Sequence, residues 1–277
     1  MGYTSHTTSY YAASANNSTD RPALQGAHET DVCVIGAGYT GISTALFLLE
    51  HGFRVTVLEA AKVGFGASGR NGGQIVNSYS RDIDVIERSL GAQQARLLGE
   101  MAFEGARIIR ERVAKYQIQC DLKDGGVFAA VTDKQMSHLE AQKQLWERYG
   151  HTQMQLLDAK GIRDVVNTDR YVGGSLDMSG GHIHPLNLVL GEADAVESLG
   201  GIIHEQSRVT RVDQGAKAVV HTDQGQVTAD FVVVAGNAYL DDLIPQLAAK
   251  SMPCRRIIAS RTAITCWTIT GFLPTGA

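Results

Sequence analysis

The spacing of apolar and polar residues changes along the chain, and each change predicts an element. Residues 1–25 are polar and rich in Ser, Thr, Asn and Tyr, which predicts an arm rather than a core element. Residues 30–35 contain the charge-free run Val32-Cys-Val-Ile35, the mark of a buried strand. Helical spacing follows over 39–51, and strand character returns over 53–58. Strand, turn, helix and strand in this order form a βαβ unit, whose crossover predicts a parallel sheet. Five glycines within residues 64–73 predict a loop. Residues 80–115 read as helix, 116–132 as β structure around Gly125-Gly126, and 134–149 as a polar helix. Short mixed elements fill the chain to Asp177. A helix over 187–198 follows, and apolar runs at 201–203 and 231–235 flank a meander through Val209, Val212, Val219, Val220 and Val227.

Composition narrows the class. With 277 residues, 44% apolar and 19% charged, the chain buries a sizeable core in about one or two domains. A net charge of −4 gives no positive field for nucleic acid or anionic lipid, so small molecules are the expected partners. The 18 uncharged residues from Val32 to Leu49 approach the length of a membrane span, but Gly36, Gly38 and Gly41 and the change of period point to strand, turn and helix instead. The four cysteines form no C-x-x-C pair and no apolar leader is visible, which together predict a reducing, cytoplasmic setting.

The chemistry concentrates after the first strand. Gly36-Ala-Gly38-Tyr-Thr-Gly41 satisfies G-x-G-x-x-G between a strand and a helix, and Glu59 ends the next strand 23 residues after Gly36. Gly36 permits the tight turn, Gly38 lets a pyrophosphate approach the backbone, and Gly41 allows close helix packing, while Glu59 accepts from ribose hydroxyls. NAD and FAD proteins share this fingerprint. Three later features favour FAD: the loop from Gly64 to Gln74 with the Ser68 hydroxyl, the strand Phe231-Val-Val-Val-Ala235 running into Gly236, and the β meander between residues 202 and 228, which brings the Val209 backbone to an adenine. His182 and His184 alternate on an extended segment but lack a third ligand, so no metal site is expected. Gly66-Ala-Ser68-Gly69 fails the nucleophile-elbow pattern at Arg70.

Residues from about Thr4 to Cys254 resemble the D-amino-acid-oxidase-like, FAD-dependent amine oxidoreductases. The resemblance rests on Ser9-Tyr-Tyr-Ala-Ala-Ser-Ala-Asn16, Gly64-Phe-Gly-Ala-Ser-Gly-Arg-Asn-Gly-Gly73, Asn77-Ser-Tyr-Ser-Arg-Asp82, Ser179-Gly-Gly-His-Ile-His-Pro-Leu-Asn187 and Ala235-Gly-Asn-Ala-Tyr239. It implies an FAD site lined by Gly36, Gly38, Gly41, Glu59, Ala60, Ser68, Gly69, Arg70, Asn71, Gly72, Gly73, Gln74, Val209 and Gly236. It also implies hydride transfer from a carbon bearing an amine nitrogen to flavin N5, hydrolysis of the imine to an aldehyde, and reoxidation by dioxygen. In the branch carrying the Tyr-Tyr arm the implied amine is γ-glutamylputrescine, a step in putrescine breakdown. No catalytic acid or base stands out.

The expected fold is a doubly wound α/β FAD-binding domain, residues 28–80 and 180–250, with an inserted α+β substrate domain over 81–179, incomplete at the C-terminus. Residues 1–27 form the polar arm. Residues 255–277 depart from the family pattern and read as an atypical tail, accounted for by an out-of-frame product after a deletion. An inactive flavin-binding fragment and a NAD-dependent dehydrogenase are the alternative readings.

Overall fold

The computed structural model describes residues 5–16, 19–77, 79, 83–240 and 243. The tail at 255–277 lies outside them. In chain order the first elements are α1 (Tyr10–Ala13), β1 (Gly26–Ile35), α2 (Tyr39–Glu50), β2 (Val55–Leu58) and β3 (Gln74–Ile75). Then come α3 (Ile83–Leu90), α4 (Ala92–Lys115), β4 (Lys123–Ala130), α5 (Asp133–Glu147), β5 (Met154–Asp158), α6 (Ala159–Val165) and β6 (Gly173–His182). The last are α7 (Pro185–Ser198), β7 (Ile202–His204), β8 (Val209–Asp213), β9 (Ala218–Thr222) and β10 (Gly225–Val234). The chain divides into two compact units: Met1–Asn71 with Pro185–Ala277, and Gly72–His184. The sequence reading set the corresponding limits at residues 80 and 180; in the structure β3 pairs with β6, which groups Gly72 to Ile75 with the second unit.

The first unit is built on a six-stranded sheet of order β7-β2-β1-β10-β9-β8. The first four strands are parallel and the last two antiparallel, so the α/β fold expected from the βαβ pattern is the fold observed. Alternation along β1 separates the two faces. Val34 lies beside α2, whose Ile42 and Leu46 are fully buried, while Cys33 and Ile35 join Leu24, Leu58, Val209, Val220, Val227 and Ala229 in a second cluster. Burial pushes the Cys33 thiol up to about 12, which leaves it an inert apolar filler.

Two elements differ from those the spacing predicts. The helix read over 80–115 is broken into α3 and α4 at Gly91, whose φ of +89° is easily reached only without a Cβ. The run at 231–235 is the second half of one ten-residue strand, β10, which pairs antiparallel with β9 at its start and parallel with β1 along its length.

In the second unit β6 is central. It pairs with β4 on one side and with β5 and β3 on the other, all antiparallel. Ile83, Ala95, Trp146 and Tyr149 form its apolar cluster. A capping box between Thr132 and Gln135 starts α5, and Asp158 caps α6. No helix among the described residues is long and apolar enough to cross a membrane.

Candidate cofactor site

The end of β1 makes a turn that only glycines can build. Gly36 has φ of +104°, and a Cβ there would lie 2.7 Å from the Ala235 carbonyl oxygen, where β10 ends beside β1. A Cβ on Gly41 would overlap the Gly36 carbonyl oxygen, so its absence lets α2 sit directly against the turn. Gly38 is the N-cap of α2 and offers no side chain to it. The Ser68 hydroxyl supplies the acceptor instead, taking the Tyr39 N–H at 2.9 Å, and a Cβ on Gly38 would come within 2.9 Å of the same oxygen. The helix N-terminus, with its partial positive charge, therefore faces a glycine-walled cradle closed by a hydroxyl that can also donate. This is the donor set and the space that a pyrophosphate requires.

Glu59 stands at the end of β2, where the sequence placed the ribose acceptor. Its Oε2 accepts the Ala37 N–H at 2.8 Å and its Oε1 the Ala61 N–H at 2.9 Å, which ties the glycine turn to the turn after β2. Burial raises the carboxyl above its usual range; the Ala37 and Ala61 N–H groups oppose that rise and the Glu205 charge adds to it. The Ala60 N–H also bonds the carboxylate, and a carboxylate with about four acceptor sites still has room for a hydroxyl. Ala60, next in the chain, is exposed.

The loop from Gly64 folds back on the same turn. Gly64 has φ of +71°, donates its N–H to the Ala37 carbonyl at 2.9 Å, and leaves room for Val189 of α7. A Cβ on Gly69 would overlap the Gly64 carbonyl. Asn71 donates to the Ser68 carbonyl at 2.9 Å and so fixes the short turn that carries Ser68. Arg70 donates to the Tyr239 hydroxyl at 3.0 Å, with its guanidinium 5.1 Å from the Phe65 ring centre. The Gly236 amide nitrogen lies 3.2 Å from the position of a Cβ on Gly36, so the end of β10 reaches the turn as expected.

The structure thus gathers Gly36, Gly38, Gly41, Glu59, Ser68, Gly69 and Gly236 around one turn, with Ala60, Arg70 and Asn71 flanking it. Val209 opens β8 and is buried within the sheet's apolar cluster. Gly72, Gly73 and Gln74 belong to the second unit, where the Gly73 carbonyl accepts the Ile183 N–H at 2.9 Å and Gln74 pairs with His182.

Sequence reasoning missed two buried polar groups. In the second unit Asp177 accepts from His151 Nε2 at 3.0 Å, Asn77 at 3.2 Å, and the Ser179 N–H and hydroxyl at 3.0 and 2.7 Å. Burial alone would raise this carboxyl, but those donors hold it below its usual range. In the first unit Glu205, Lys62 and Arg21 meet beside Glu59. No local spacing marks either group, because the partners are brought together only by the fold.

Comparison with known proteins accords with this geometry. The family model for FAD dependent oxidoreductase (DAO) matches residues 31–266. The chain is 60% identical over 252 residues to gamma-glutamylputrescine oxidoreductase of Escherichia coli strain K12, an alignment covering 91% of this chain and 59% of that protein. It is 43% identical over 245 residues to the probable oxidoreductase OrdL of Haemophilus influenzae, covering 88% of this chain and 57% of the relative. The chain therefore spans less than two thirds of the length of these relatives. Among solved structures, L-amino acid deaminase from Proteus myxofaciens superposes with a TM-score of 0.68 at 20% identity, over 85% of this chain and 51% of that one. Glycine oxidase from Geobacillus kaustophilus gives 0.62 at 23%, over 79% and 58%. These two establish the fold. The family model spans most of the sequence, and on that match the chain belongs to the FAD dependent oxidoreductase family.

Proposed function

We propose that the first unit holds the FAD of an amine oxidoreductase whose substrate is γ-glutamylputrescine or a close analogue. The observation that carries the cofactor assignment is the cradle at Gly36 to Gly41, closed by Ser68 and the end of β10 and flanked by Glu59. The amine assignment is supported by the 60% identity to an enzyme named for that substrate.

Each residue has a binding task. The N-terminus of α2 and the Ser68 hydroxyl take the pyrophosphate, Glu59 accepts from the adenosine ribose, and Gly236 keeps the strand end low enough to clear the phosphates. The Arg70 guanidinium is held by Phe65 and Tyr239 as a fixed cation on the loop. FAD held there would supply the redox chemistry, as acceptor of a hydride from the carbon that bears the primary amine; water would convert the resulting imine to aldehyde and ammonia. Dioxygen is the proposed acceptor that reoxidises it.

The test is the visible spectrum of the full chain after incubation with FAD and desalting, followed by anaerobic addition of γ-glutamylputrescine. A retained flavin band that bleaches, with hydrogen peroxide appearing on admission of air, is the expected result. A band that persists with this and related amines refutes the activity and leaves a flavin-binding fragment. A protein that retains no flavin refutes the cofactor assignment.

A further inference from the structure

The turn that carries Glu59 is held from behind. Its backbone is laid against the 204–207 turn: Glu59 N–H donates to the His204 carbonyl at 2.8 Å, and Ser207 N–H donates back to the Glu59 carbonyl at 2.8 Å. Gln206 donates twice to the Ala61 carbonyl, from its backbone at 3.1 Å and its side chain at 2.9 Å, and adopts φ of +51°. Between these strips lies Glu205, with a side chain only 3% exposed. Its Oε1 accepts the Val63 N–H at 2.9 Å, and its Oε2 lies 2.8 Å from Lys62 Nζ. Arg21, 2% exposed, approaches to 4.0 Å.

The far side of the network belongs to the N-terminal arm. Arg21 is anchored on α7 by Asp194 at 2.8 Å and Glu197 at 2.7 Å, and Lys62 also reaches Asp20 at 2.6 Å. Leu24 N–H donates to Ser207 Oγ at 2.8 Å, and His204 Nδ1 lies 3.1 Å from the Pro22 carbonyl. A carboxylate this buried is stable only while its cations and its N–H partner stay in place. Arm, 204–207 turn and 59–63 turn therefore keep one relative position. Recognition of a ribose by Glu59 depends on that position, since a functional group must sit within about half an ångström of its productive place.

We propose that Glu205 is a positioning residue of the nucleotide site: through the Val63 N–H and Lys62 it fixes the turn that aims Glu59 at the adenosine ribose. This rests on the FAD assignment made above. It makes the polar arm, through Arg21, a working part of cofactor retention.

The test is a double-mutant cycle in the full chain, with FAD affinity read by quenching of flavin fluorescence in wild type, Glu205→Gln, Glu59→Gln and the double variant. Each single change weakens FAD by about tenfold, and the double variant is within about twofold of Glu59→Gln alone, because the two residues act through one contact. A general loss of stability would instead multiply the two factors, and that result overturns the proposal. So does a Glu205→Gln protein that binds FAD like wild type. If Glu205→Gln does not fold, Lys62→Met, whose side chain is 19% exposed, replaces it and its loss must likewise vanish in the Glu59→Gln background. A wild type that takes no FAD, or a Glu59→Gln protein with full affinity, refutes the ribose assignment itself rather than the coupling.

Discussion

Removing the Asp177 carboxylate should unlock the second unit. Four hydrogen bonds converge on its two oxygens, from His151, Asn77 and Ser179, and its side chain is 12% exposed. Asp177→Ala leaves buried donors on three residues without their acceptor. Breaking a buried charged network by removing one partner costs roughly 3–5 kcal/mol. For a chain of this size each kcal/mol moves Tm by about 2–4 °C, so a fall of about 10 °C is expected in calorimetry. The pH dependence gives a sharper reading. The carboxyl is held below its usual value of 3.8, so the folded protein binds fewer protons there than the unfolded chain does. Its stabilisation is complete above that value and is lost as pH falls below it. The variant should therefore show a flatter acid limb of Tm against pH than wild type. An unchanged acid limb, or a Tm within 2 °C of wild type at neutral pH (about 1 kcal/mol or less), would refute the argument.

Three further outcomes follow from the first unit. Gly41→Ala places a methyl group against the Gly36 carbonyl and should abolish flavin retention on desalting, with a loss of unfolding free energy from overpacking of about 1–3 kcal/mol. Ser68→Ala removes the acceptor for the Tyr39 N–H and a donor to phosphate; FAD dissociation measured by fluorescence should rise roughly 5- to 30-fold. Glu59 is raised by burial, so it becomes protonated above the usual carboxylate range. FAD affinity should then weaken as pH falls toward the carboxylate range, earlier than an ordinary glutamate would give, and Glu59→Gln should flatten that dependence; isothermal titration across pH would show either.

The legibility of this protein in its sequence follows interaction range. Gly36, Gly38, Gly41 and Glu59 are neighbours in one βαβ unit, so motif and period together were enough to predict that they meet at one turn. The break at Gly91 was hidden because the apolar spacing continues across α3 and α4 and one glycine does not interrupt it. β10 looked like two features because only its second half is a continuous apolar run, while its first half alternates and turns with β9; β1 pairs with both halves. Glu205 and Asp177 were invisible for a different reason. Glu205 meets Val63 across 142 residues and Asp177 meets Asn77 across 100, and no local pattern encodes such a meeting.

The pairing of β10 with β1 also sets a schedule. Gly36 emerges early in synthesis, yet the carbonyl that closes its turn belongs to Ala235, 199 residues later (235 − 36). At about 5–20 residues per second, the nucleotide turn waits roughly 10–40 s for its partner strand. During that interval β1 has β2 available on one side and an open edge on the other, with Val32, Val34 and their neighbours unpaired there. The turn is thus completed late in the life of the nascent chain, after an interval in which an open strand edge of the central sheet invites the wrong partner.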